Sequence, residues 1–408
     1  MMNSNLSQDI IENIIGEINE NVYRFENPSV EDGTMGLAIF YFYCHRAYGE
    51  EIYLNKAEEM IEASINFLTS ISNESTFIPK YKGDSLSNLI ASFGKGLLFV
   101  ENRLNYKYDF TEYYEVIDDI LIELLSKSLQ ERDFDFFSGA LSAGHYFINK
   151  FNVYNDKTSQ ENLLKIYEAL IKESISNENN QIYWKAPVYA DQVYIGISHG
   201  SAMIINFLVK LFNIGIFHQD NISAKQILNK AVNFVMAQKR EIENGFFPHV
   251  FESGSQPEAT IYAMCYGDVG ILYTLKTSLY ILNESQHNDD IEKMLMKCSK
   301  RKKNINHTSD ASIFYGASGI YCIYRALFLS SKDINFKKVY EYWNAQIITY
   351  QNNEKHNCAG FSFLFNEESN RNSLQYSFGW GLAGLGICML LEMDKDLPIL
   401  NELLLIGL

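Results

Sequence analysis

The chain of 408 residues carries 50 acidic against 34 basic side chains, a net charge of −16, with 47% hydrophobic and 14% aromatic residues. That acidity works against nucleic acid, whose phosphates it would repel, and the apolar content is ample for a large core. No apolar stretch reaches the ~18 residues of a membrane span, residues 1 to 20 show no signal-peptide pattern, and the six cysteines lack close CxxC pairs, so a cytoplasmic chain with reduced thiols is expected.

In chain order, a knot of small residues recurs seven times. The copies begin at Gly33-Thr34-Met35-Gly36, Leu89-Ile90-Ala91-Ser92-Phe93-Gly94, Gly139-Ala140-Leu141-Ser142-Ala143-Gly144 and Gly200-Ser201-Ala202-Met203. They continue at Gly267-Asp268-Val269-Gly270, Gly316-Ala317-Ser318-Gly319 and Gly381-Leu382-Ala383-Gly384-Leu385-Gly386, at intervals of 49 to 67 residues. Such a spacing leaves room for two helices and their loops in each unit. Apolar runs with little polar face follow the knots: 37–43, 97–100, 204–211, 271–275, 320–327 and 385–391. A helix apolar almost all round is buried on every side.

Between these runs the apolar residues fall on one stripe. One stripe is Tyr113, Val116, Ile117, Ile120, Leu121, Leu124 and Leu125, and another is Ile227, Leu228, Ala231, Val232, Val235 and Met236. That is helical spacing. Buried and amphipathic helices therefore alternate, and the economical arrangement is all-α: an α/α toroid of seven inner and seven outer helices, expected as a single domain over residues 1–408. Small residues at the start of each inner helix would let backbones approach closely and leave amide groups facing a ligand.

The polar residues with chemical potential stand beside the knots. Asp135 precedes Gly139 by four, His199 directly precedes Gly200, and Cys265 with Tyr266 precedes Gly267. A thiol at the turn into a helix is expected to have a lowered pKa, which suits a nucleophile or a metal ligand. Each also has a plain structural reading: a small buried hydrophobe for Cys265, a satisfied core histidine for His199, a helix cap for Asp135. No phosphate-binding loop, GxSxG or HExxH motif occurs. The basic run 300–303 reads as a solvated loop or helix end.

Four stretches resemble the motifs of the lanthionine synthetase C-like (LanC-like) family, and the resemblance runs through all seven knots. They are Ser198-His199-Gly200, Met264-Cys265-Tyr266-Gly267, Ser312-Ile313-Phe314-Tyr315-Gly316-Ala317-Ser318-Gly319 and Gly381-Leu382-Ala383-Gly384. The resemblance implies an α/α toroid that acts in lanthipeptide biosynthesis, adding peptide cysteine thiols to dehydroalanine or dehydrobutyrine to form thioether rings. It implies as partners a ribosomally made precursor peptide, a partner dehydratase and, in membrane-associated assemblies, a peptide exporter. The family's zinc is held by Cys, Cys and His with one open position.

Carried over residue by residue, Cys265 matches the first zinc cysteine, but the adjacent Cys-His pair of the family reads Phe314-Tyr315 here. Met264 and Ile261 replace the tryptophan and arginine usual near the first ligand. One thiolate does not hold zinc in a three-ligand site, so a degenerate zinc site and no cofactor are expected. His356-Asn357-Cys358 carries ligand-type atoms outside the family's positions. His199 and Asp135 stand where the family places its proton-transfer residues.

Two functions follow. The first is a cyclase without zinc: His199 acts as general base with Asp135 orienting it, the enolate is reprotonated by His199 or Tyr315, and Cys265 remains in the site. The second is a non-catalytic scaffold that binds the precursor peptide or the dehydratase. A toroidal carbohydrate enzyme would instead need opposed carboxylates, nominally Asp135 and Asp268.

Overall fold

The structure, a computed structural model, describes residues 4–70, 85–217, 221–240, 245–251, 261–283, 286–304, 306–352, 357–365, 373–404 and 406. Among them lie fourteen α-helices. These are α1 (Ser4–Asn21), α2 (Thr34–Tyr48), α3 (Glu51–Ser70), α4 (Leu86–Asn102), α5 (Thr111–Glu131), α6 (Ala140–Tyr154) and α7 (Lys157–Glu173). Then come α8 (Ser201–Asn213), α9 (Ile222–Ala237), α10 (Asp268–Leu282), α11 (Asn288–Cys298), α12 (Ala317–Ser331), α13 (Ile334–Ile347) and α14 (Leu382–Met393). A small antiparallel hairpin pairs Ile175–Ser176 with Ile182–Tyr183. Strands this short have no alternation for a sequence pattern to reveal.

The expected alternation of helix types is present. Even-numbered helices are buried all round over at least their first two turns: α2 buries every residue from Thr34 to Cys44, α8 from Ser201 to Phe212, α14 from Leu382 to Leu391. Odd-numbered helices bury one stripe, as α7 does with Ser159, Asn162, Leu163, Ile166 and Leu170. On α5 the stripe is narrower than its sequence suggests. Ile117, Leu121, Leu124 and Leu125 are core, but Tyr113, Val116 and Ile120 are exposed. No helix of the described residues is long and apolar enough to cross a membrane.

Contacts divide the chain into two compact units. The first comprises Met1–Ile78, Ser92–Asp109 and Lys302–Leu403; there α2 packs on α3 and α14, and α12 on α13 and α14. The second comprises Pro79–Ala91, Phe110–Arg301 and Leu404–Leu408; there α6 packs on α7 and α8, α8 on α9 and α10, and α10 on α11.

Six knots open helices as expected, with Gly33, Gly139, Gly200, Gly267, Gly316 and Gly381 directly preceding α2, α6, α8, α10, α12 and α14. The second does not. Leu89–Gly94 lies inside α4, and the residue before that helix is Ser85, whose Oγ accepts the Asn88 N–H at 3.0 Å. A serine side chain caps where the other copies use glycine.

In four of the helices that a knot glycine opens, the first amide is not left facing a ligand. Thr34 N–H donates to Asn27 O at 2.8 Å, Ala140 to Asp133 at 2.8 Å, Ser201 to Tyr194 at 3.0 Å and Ala317 to Asp310 at 3.0 Å. Each acceptor lies seven residues upstream. Two residues further in, Gly36 N–H meets Ser29 O, Met203 meets Gly196 O and Gly319 meets Ser312 O at the same offset. The first amides of any helix lack intrahelical partners, and a helix end without water must find other acceptors. The preceding loop supplies them by folding back.

In the first unit a buried charge pair also ties the first loop down. Glu31 accepts from Lys95 Nζ at 3.2 Å and from the Ser92 hydroxyl, both on α4, and that hydroxyl accepts the Val30 N–H at 2.7 Å. Glu31 and Lys95 are 2% and 4% exposed. Removing the cation alone strands a carboxylate without its countercharge. Lys95→Met should therefore cost about 3–5 kcal/mol of stability, measured by guanidinium unfolding; a loss below about 1 kcal/mol would show that the pair does not hold the loop.

Candidate functional site

Asp135 lies in the loop before α6, where two local turns fix it. Asp133 Oδ1 accepts the Asp135 N–H at 2.9 Å, and Asp135 Oδ1 accepts the Phe137 N–H at 2.8 Å. The other carboxylate oxygen, Oδ2, meets His199 Nδ1 at 2.6 Å. Asp135 is 5% and His199 9% exposed. A carboxylate that takes the Nδ1 proton as its hydrogen bond sets the imidazole tautomer and leaves Nε2 as the ring's acceptor. The pair joins two loops that are 64 residues apart in sequence.

Two glycines hold the other loops in register. Gly200 has φ 134° and Gly267 φ 96°, on the side of φ that residues with a Cβ avoid. A Cβ at Gly200 would stand 2.2 Å from Tyr194 O, and one at Gly267 would stand 1.6 Å from Ile261 O. The glycine opening α8 thus lets the chain turn directly after His199, and the one opening α10 does so two residues after Cys265. Ser198 Oγ donates to Cys265 O at 3.0 Å and joins the two loops.

Cys265 departs from its expected state. Its side chain is buried, 4% exposed, and burial pushes the thiol well above the ordinary range, with the Ser198 contact only partly opposing this. Removal of water from around a thiolate outweighs the benefit of a helix start, so the thiol is the neutral form.

Aromatic rings surround His199: Tyr189 at 4.9 Å between centroids, Phe137 at 5.7 Å, Tyr266 at 5.8 Å and Tyr194 at 6.2 Å. Tyr189 sits on a short turn, Pro187–Tyr189, followed by two residues with left-handed backbone, Ala190 and Asp191. Burial, reinforced by the Asp135 charge, pushes the Tyr189 phenol up and keeps it protonated. Sequence reasoning missed Tyr189, Tyr194 and His249, since none stands at a knot glycine. His249 is half-buried with its ring 5.6 Å from that of Tyr266, and burial lowers its pKa below the ordinary histidine value.

Asp268 is not an opposed catalytic carboxylate. It is fully buried, accepts the Phe246 and Phe247 N–H groups at 3.0 Å each, and pairs with Arg301 at 3.1 Å. Tyr315 belongs to the first unit, with its N–H 3.3 Å from Ser312 Oγ and its ring edge-on to Phe365. Phe314 is buried edge-on to Trp380, with ring centroids 4.8 Å apart, and donates its N–H to Gly379 O. Cys358 is buried, and His356 lies outside the described residues. Among the described residues no group of three or more His, Cys, Asp and Glu side chains is placed to hold a metal ion.

Comparison with known proteins bears on this geometry. The family model described as lanthionine synthetase C-like protein matches residues 24–402. Among solved structures, nisin cyclase is similar over 98% of this chain and 97% of its own, with a TM-score of 0.73 and 17% identity. That likeness shows the fold, and the all-α, α/α-toroid class expected from the knots is borne out. A glycoside hydrolase of family 105 from C. acetobutylicum ATCC 824 covers 93% of this chain at a TM-score of 0.42 and 11% identity. Cellobiose 2-epimerase from Bacillus thermoamylovorans B4167 covers 88% at 0.41 and 10% identity. Neither of these two carries an argument. The curated proteins contain no match.

The state of Cys265 is directly testable. Iodoacetamide at pH 8 should alkylate it at least about 10-fold more slowly in the folded protein than after unfolding, read by peptide mass mapping. Equal rates would show an accessible, ionisable thiol instead.

Proposed function

The chain belongs to the lanthionine synthetase C-like family, and from that premise we propose that it closes thioether rings in a ribosomally made precursor peptide without zinc. The observation that carries this reading is the 2.6 Å contact between His199 Nδ1 and Asp135 Oδ2 in a nearly enclosed aromatic setting. With Nδ1–H donated to the carboxylate, Nε2 accepts the proton of a peptide cysteine. The sulfur then bonds to Cβ of the dehydroamino acid and the C=C π pair moves toward the carbonyl. The resulting enolate takes a proton at Cα from His199, and the thioether is complete. Acid–base assistance of this kind is worth about 10²–10⁴-fold, and holding both reactants together adds to it.

The donor chemistry supports a metal-free site. Of the three positions where the family resemblance places zinc ligands, only Cys265 is a thiol. Phe314 and Tyr315 offer no ordinary zinc donor. The proposed partners are the precursor peptide, a dehydratase that makes the acceptor residues, and an exporter in assemblies at the membrane. The proposed location is the cytoplasm.

The packing of Phe314 on Trp380 favours a second reading. An aromatic contact in place of a ligand pair suits a scaffold that binds peptide or dehydratase without chemistry.

His199→Ala separates the two readings. A cyclase should lose ring closure by about 10²–10⁴-fold while still binding the peptide, read by mass spectrometry and by fluorescence anisotropy. A scaffold should show no closure above background in either form. Elemental analysis of protein purified without chelators or metal affinity should find far less than one zinc per chain; a full equivalent would overturn the metal-free reading. The double variant Phe314→Cys with Tyr315→His should gain zinc binding.

A further inference from the structure

The surroundings of His199 contain a second imidazole that the mechanism above does not use. His249 lies in the stretch 245–251 of the same unit, and its backbone is fixed against the loop that leads to His199. Ile195 N–H donates to His249 O at 3.0 Å, Phe251 N–H donates to Val193 O at 2.7 Å, and Tyr194 pairs with Val250 across the bridge between them. These rungs set His249 as firmly as a short two-stranded ladder can. Its ring stands nearly perpendicular to Tyr266, at 79°. Tyr266 in turn lies 5.8 Å from His199, so the phenol ring is flanked by one imidazole on each contact.

We propose that His249 is a second catalytic residue of this site, the acceptor of the peptide thiol's proton, while His199 with Asp135 serves the proton delivered to Cα. The proposal rests on the ring-closing reading above and divides its two proton transfers between two residues. The S–H proton goes to a ring nitrogen of His249, the S–Cβ bond forms as the C=C π bond opens, and Cα receives a proton from Nε2 of His199 in its imidazolium form, which takes that proton from water before the step while Asp135 pairs with Nδ1. Exchange with water returns the proton from His249 and restores His199, so no further reactant is needed.

Three features suit His249 to accept. No side chain among the described residues hydrogen-bonds either ring nitrogen, whereas His199 Nδ1 is committed to Asp135. Burial disfavours its charged form, so it stands in the neutral form, the one with a ring nitrogen open to a proton. Both imidazoles contact the Tyr266 ring, His249 at 5.6 Å and His199 at 5.8 Å between centroids, and the proposed division seats the substrate along that phenol. A single imidazole would have to serve sulfur and Cα in turn, within one encounter, from one side.

The test uses the full chain and two synthetic peptides, each with one dehydroalanine. One carries a cysteine and the other a selenocysteine, whose selenol is ionised at neutral pH and needs no proton acceptor. His249→Gln should slow closure of the cysteine peptide by about 10²-fold with KM within about 3-fold, and should be restored to near wild-type rate on the selenocysteine peptide. His199→Ala should remain slow on both. Thermal unfolding of the variants, matched to wild type, excludes misfolding, and His249→Asn serves if Gln does not fold. Wild-type closure that His249→Gln leaves unchanged overturns this inference alone, as does a defect that the selenol does not relieve. A wild-type chain that closes neither peptide above the uncatalysed rate overturns the ring-closing reading and this one with it.

Discussion

The first amides of a helix that is buried on all sides need acceptors, and no solvent is there to provide them. Much of this protein follows from how that need is met. A loop folds back so that the first helical N–H reaches a carbonyl seven residues upstream, in the pairs Thr34–Asn27, Ala140–Asp133, Ser201–Tyr194 and Ala317–Asp310. The loop is closed on itself by side chains as well. Asn27, Asp133 and Asp310 each accept the N–H of the residue two further on. The repeating element is therefore larger than a cluster of small residues at a helix start. It begins six residues earlier, with a turn that the glycine completes.

The candidate chemistry is an elaboration of these closures. In the loop before α6, the residue that receives the turn is Asp135, and the turn that presents its Oδ1 to Phe137 leaves Oδ2 for His199. In the loops before α8 and α10 no Asn or Asp stands six residues ahead of the glycine; Tyr194 and Ile261 occupy those positions. There the backbone is turned by glycines of positive φ instead. Those two loops carry His199 and Cys265 and are joined by Ser198. Among the glycines that open helices, the two of positive φ thus fall in the loops that carry His199 and Cys265, as expected where local rules yield to function.

In the first unit the same construction serves packing. Glu31 lies in the first loop, its carboxylate buried against Lys95 and Ser92, and its carbonyl accepts the Gly379 N–H. Gly379 O in turn accepts from Phe314, whose ring rests on Trp380. A buried ion pair contributes through geometry more than through net energy, because desolvation offsets most of the attraction. Its effect here is to hold the first, sixth and seventh loops in one hydrogen-bonded sequence, with Tyr315 next in line after Phe314.

The sequence by itself determined the helix types and their order. Seven knots at similar intervals, six of them ahead of an apolar run, require buried helices alternating with amphipathic ones, since only that arrangement covers such runs. It also marked Asp135, His199 and Cys265, because each stands beside a knot glycine. What the tertiary structure decided depends on distance rather than on neighbours along the chain. The contact of Asp135 with His199 and the approach of Phe137 and Tyr266 to the same imidazole join residues far apart in sequence, with no periodicity to announce them. The state of the Cys265 thiol was decided the same way: position at a helix start predicts one sign, and burial, which is a property of the packed chain, imposes the other.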